Sequence, residues 1–126
     1  MLKVFDQTKE WPSKTNFIDS NNCMLGFDRE QDCCEDHDWC VSDDPEKWGE
    51  GNKTIPDING GWEFDTQYRY EYGPEEEDNR AAFRIVPSWV HSNQDTAPLY
   101  IILRNRHNGY YSHGFFFSTP TYEGSL

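Results

Sequence analysis

Trp62, Phe64, Tyr68, Tyr70 and Tyr72 fall on every second position of one segment, interrupted at Thr66 and interleaved with Glu63, Asp65, Gln67, Arg69 and Glu71. A period of two over that length predicts a half-buried antiparallel strand, and such a strand needs neighbours. Asn16-Phe17-Ile18 and Cys23-Met24-Leu25-Gly26-Phe27 flank the polar run Asp19-Ser20-Asn21-Asn22, which reads as a hairpin. Gly73-Pro74 and the acidic run after it read as a turn, followed by a strand over Ala81–Val86 that Pro87 closes. Leu99–His107 and Tyr110–Thr119 read as strands joined at Asn108-Gly109, a strong short hairpin signal. That register pairs His107 with Tyr110, Leu103 with Gly114 and Ile101 with Phe116, and sets His107 and His113 on opposite faces.

Between these segments lies Asp32-Cys33-Cys34-Glu35, an acid followed three residues later by Glu in the manner of a capping box. On a helix, Cys33, His37 and Cys40 share one stripe, so a short helix is expected near 33–42, ended by Asp43-Asp44-Pro45. Residues 43–61 carry Pro45, Gly49, Gly51, Pro56, Gly60 and Gly61 without periodicity and read as a long acidic loop pinned by Trp48 and Ile55. The expected architecture is α+β, a twisted antiparallel sheet of about five or six strands with one short helix. An all-β sandwich is the alternative, and it follows if 33–42 is a strand.

A chain of 126 residues is sized for a single domain over 1–126. With 35% hydrophobic and 16% aromatic residues, its core is expected to rest on a few large rings. Charge is segregated: residues 28–78 hold 18 acids and 4 bases, against a total of −12. Direct nucleic-acid binding through phosphates needs a basic footprint and is not expected. The acidic belt suits a basic partner, a cation or mimicry of DNA, or else serves solubility. No run approaches the length of a membrane span and the opening MLKVFDQTKE has no apolar secretion segment, so a cytoplasmic protein without membrane contact is expected.

Gly26-Phe27-Asp28, then Cys33-Cys34-Glu35 and Trp39, together with His107-Asn108-Gly109-Tyr110-Tyr111-Ser112-His113-Gly114-Phe115, resemble a family of short proteins of bacteriophages and of bacterial genomes carrying phage-derived DNA. The resemblance brackets residues 26 to 115. It implies a stand-alone, cytoplasmic, phage-related domain, and supplies no activity, cofactor or catalytic residue.

Three constellations could carry chemistry. Cys33, Cys34, His37 and Cys40 are soft ligands that would suit zinc, although one helix cannot close a tetrahedron, and free cysteines are more often small core hydrophobes. Apart from zinc, no cofactor is expected. Cys33 or Cys34 with His37 as base would make a thiol nucleophile, which Asp32, Glu35, Asp36 and Asp38 oppose by disfavouring a thiolate. Arg104, Arg106, Tyr111 and His113 share one face of the expected hairpin and suit a phosphate, carboxylate or nucleobase; the alternative is a cross-strand charge ladder. The hairpin is apolar on both faces away from its turn. Its second face therefore needs cover from the loops around Trp48 and Trp89 or from a second copy in a homodimer. The functional expectation is a non-enzymatic binding or inhibitor protein acting on a protein partner or a small anionic ligand. A metal-binding protein and a DNA mimic are the alternatives.

Overall fold

The computed structural model describes residues 3–7, 14–19, 23–28, 36–56, 58, 61–75, 78–88, 97–106, 114–118 and 121–125. In chain order the strands are β1 (Lys3–Gln7), β2 (Lys14–Ile18), β3 (Met24–Asp28), β4 (Asp36–Ser42), β5 (Trp62–Phe64), β6 (Tyr70–Glu75), β7 (Asp78–Pro87), β8 (Leu99–Arg106), β9 (Gly114–Ser118) and β10 (Thr121–Ser125). They form two antiparallel sheets. The first has the order β1-β2-β3-β9-β10; the second runs β4-β8-β7-β5, with β6 also paired to β7.

The hairpin expected around residues 19–22 is present, pairing Ile18 with Met24 and Asn16 with Gly26. The helix is not. Residues 36–42 are a strand beside β8, with Trp39 opposite Leu103 and Val41 opposite Ile101. Among the described residues there is no helix, and what they show is a β-rich fold of antiparallel sheets, with a strand where the short helix was expected. Trp39 and Val41 point into the main core while Cys40 packs in a second cluster behind it. A strand buried on both faces lacks a visible alternation, and the steps of four and three residues from Cys33 to His37 to Cys40 imitated a helical stripe. Asp32 to Glu35, the expected cap, lie outside the described residues.

The hairpin across Asn108-Gly109 is also corrected. β8 has β4 on one edge and β7 on the other, whereas β9 lies in the other sheet between β3 and β10. Ile101 therefore pairs with Val41 and Phe83, and Phe116 with Gly26 and Glu123. β8 and β9 therefore do not pair with each other; His107, Asn108, Gly109 and His113 lie outside the described residues.

The long alternating segment is not one strand. Phe64 pairs with Ile85 and Tyr70 with Ala82, so six steps on one side match three on the other. The excess of three residues is accommodated by a turn at Asp65: its carboxylate accepts the Gln67 N–H at 3.1 Å and its carbonyl accepts the Tyr68 N–H at 3.1 Å. An odd insertion reverses which face later residues occupy. Trp62 and Phe64 enter the core between the sheets, and Tyr68, Tyr70 and Tyr72 pack on the opposite face. Gly73-Pro74, expected as a turn, lies within β6, where the register shifts between Tyr72 and Glu75.

The two sheets share one core. Phe17, Leu25 and Phe27 of the first meet Trp39, Trp62, Phe83, Ile85, Ile101 and Leu103 of the second. Phe17 meets Trp39 edge to face at 4.9 Å. Asp19, 5% exposed, takes the Cys23 N–H on Oδ1 and the Phe64 N–H on Oδ2, both at 2.8 Å, and so ties a β2–β3 connection to β5 across the layers.

Candidate functional site

The outer face of the second sheet gathers the side chains that the core leaves out. Because every strand pair of this sheet is antiparallel, with one register shift between Tyr72 and Glu75, the face can be read in rows. Ser42, Tyr100 and Arg84 form one row; Cys40, Ile102, Ala82 and Tyr70 the next; then Asp38, Arg104, Arg80 and Tyr72. Beyond them the backbone register pairs Asp36 with Arg106, Arg106 with Asp78 and Asp78 with Glu75. Cys40, Ala82, Tyr100 and Ile102 are buried at the centre, with the half-buried rings of Trp48, Tyr68, Tyr70 and Tyr72 packed around them.

Residues 43–50 lie across this face as a strap. The Tyr70 hydroxyl donates to Glu46 Oε1 at 2.7 Å and the Tyr72 hydroxyl to the Pro45 carbonyl at 2.6 Å. Gly49 N–H donates to Cys40 Sγ at 3.3 Å, and Asn52 holds both the N–H and the carbonyl of Val41. Part of the long acidic loop is thus fastened to the sheet. The Trp48 loop is one of the two covers expected for this face, supplied by the chain itself.

Arginines stack among the rings. Arg84 lies over Tyr68 at 4.1 Å, and bonds the Tyr100 hydroxyl at 3.3 Å and Asp65 at 3.4 Å. Arg104 and Arg80 both lie against the Trp48 ring, at 4.3 and 5.5 Å. Arg80 also pairs with the buried Asp78 at 3.2 Å. Burial raises the phenols of Tyr68 and Tyr72; the hydrogen bond to Glu46 raises that of Tyr70. Burial likewise raises the Cys40 thiol, more than the Gly49 N–H lowers it. At neutral pH the face is therefore one of uncharged rings and thiol among cationic guanidiniums.

Of the residues expected to bind a ligand, Arg104 belongs to this face, and Arg106 is placed two positions along β8 by its backbone. Tyr111 and His113 lie outside the described residues. Of the expected metal set, Cys33 and Cys34 also lie outside them. Positions 37 and 40 fall on opposite faces of an extended strand, so the helical stripe that would have joined His37 to Cys40 does not form. Among the described residues no group of three or more His, Cys, Asp or Glu side chains could hold a metal. The cysteines among the described residues, Cys23 and Cys40, are both buried. Sequence reasoning did not assign Trp48, Tyr68, Tyr70, Tyr72, Arg80 or Arg84 to a site. The available signal was Thr66, the break in the alternation that sends the later rings outward.

No family model, curated protein or solved structure matches the chain. Among the described residues no helix is long and apolar enough to cross a membrane.

Proposed function

We propose that the protein is a non-enzymatic binding protein that occupies a protein partner through the outer face of its second sheet. The observation that carries this reading is the half-buried cluster of Trp48, Tyr68, Tyr70 and Tyr72 with Arg84 and Arg104 among the rings. Trp, Tyr and Arg dominate the energetic centres of protein interfaces because each offers a large, stiff, amphipathic contact. The exposed acids Asp43, Asp44, Glu46 and Glu50 belong to the strap that lies across this face. Such a rim selects a partner whose own rim is basic and speeds encounter with it. The resemblance to short phage-type proteins supports a host component as that partner, with inhibition as the result of occupying it.

The test is capture of host proteins on the immobilised full chain, followed by affinity measurement on the partner retained. A basic partner that dissociates as salt rises is expected, with Trp48→Ala weakening it by ~2 kcal/mol or more. The exposed charge reversals Asp43→Lys and Asp44→Lys should slow association while leaving the fold intact. A partner whose affinity is indifferent to salt and to all three substitutions would refute the reading.

A further inference from the structure

Arg104 sits at an unusual place in the charge pattern of this face. Its cross-strand neighbour on β7 is another arginine, Arg80, with no residue between them. Like charges directly opposite one another on a sheet are destabilising. Arg80 has an answer to its charge in Asp78, whose two carboxylate oxygens take its Nε and Nη2. Arg104 has none: among the described residues no carboxylate pairs with it, and its Nε is buried without a hydrogen-bond partner. Asp38, its neighbour on β4, holds the Lys53 ammonium and the Trp39 N–H on Oδ1.

The Trp48 ring lies against both guanidiniums. Stacking on an indole holds a guanidinium by its face and leaves its N–H groups, which lie in the plane, available at the edge. Arg104 is part-exposed although β8 is flanked by strands on both sides, so what solvent reaches is side chain. Two adjacent guanidiniums, one of them without a carboxylate partner, offer edge N–H donors in the fork geometry that the oxygens of a phosphate group accept.

We infer that Arg104, with Arg80 beside it and Trp48 holding both, forms a subsite for a phosphate group. The ligand is free phosphate or a small phosphate monoester. A nucleic-acid strand needs a basic track of several phosphate contacts, which a chain of net charge −12 does not suit. Trp48 and Arg104 also belong to the face proposed for a protein partner, but the phosphate site is read on the free chain and does not require that partner.

The experiment titrates inorganic phosphate, and in a second arm a nucleoside 5′-monophosphate, into the full chain while following the arginine Nε–H resonances by NMR. The Arg104 resonance is expected to shift saturably. Arg104→Gln should weaken phosphate binding at least about tenfold, Arg104→Lys less, and Arg69→Gln on the exposed surface not at all. Tighter binding of the monophosphate identifies an ester as the ligand; equal binding identifies phosphate itself. Absence of a saturable Arg104 shift in both arms overturns the site, as does an Arg104→Gln variant that titrates like the wild type. Should that variant fail to fold, the wild-type titration and Arg104→Lys decide the matter.

Discussion

Gly49 is the residue on which the strap depends most directly. A Cβ there would lie 2.6 Å from the Val41 carbonyl oxygen, which is backbone and cannot swing aside. Gly49→Ala should therefore lift the strap and destabilise the protein by about 1–3 kcal/mol, read as a lower denaturant midpoint. At Gly51 a Cβ meets nothing within 4 Å and only the positive φ of 72° opposes a side chain. Gly51→Ala should cost roughly 1 kcal/mol, less than its neighbour. Cys40 lies beneath the strap at 1% exposure with its thiol raised by burial. In native protein at neutral pH, alkylation followed by mass mapping should leave Cys40 unmodified, and modification should appear on unfolding. Rapid labelling of Cys40 in the native state would show that the strap does not cover it.

At the scale of elements, the most informative contrast is between two hairpins. The β2–β3 pair was legible because a short polar run separates two apolar stretches whose register the turn fixes. The pairing expected across Asn108-Gly109 failed although its local signal was stronger. Ile101, Ile102 and Leu103 are all fully buried, so β8 presents an apolar face on both sides and its sequence does not say which strands flank it. β4 was illegible for the same reason. The β5–β6 break was visible at Thr66, but its consequence depends on the parity of the insertion, which only the register reveals. Of the site, Arg104 was legible as a candidate; the rings around it were taken for an ordinary half-buried face. Asp19 was read as part of a polar turn, whereas it bonds backbone on both layers. Asp19→Ala should cost about 2–4 kcal/mol, because two buried N–H groups lose their acceptor together. Equilibrium unfolding that shows a loss below ~0.5 kcal/mol would remove Asp19 from this role.

For the whole molecule, two sheets share a core and only the second carries a ring-rich outer cluster among the described residues, with the chain's acidic loop fastened over it. That arrangement makes stability fall at high pH. The folded thiol and phenols have raised values, so their contribution is complete below the unfolded values and is lost as pH climbs through the folded ones. Urea midpoints should hold steady through neutrality and decline above about pH 9 to 10, as Cys40 and then Tyr68, Tyr70 and Tyr72 ionise. A midpoint that rises over that range would contradict the burial of Cys40, Tyr68 and Tyr72 and the Tyr70–Glu46 hydrogen bond. The binding role assigned to the outer face is tested most directly by hydrogen exchange on the complex with the captured partner. The account predicts new protection concentrated in residues 43–50 and in β6 to β8, with the first sheet unchanged. Protection confined to β1, β2 or β10 would place the interface on the other layer and contradict it.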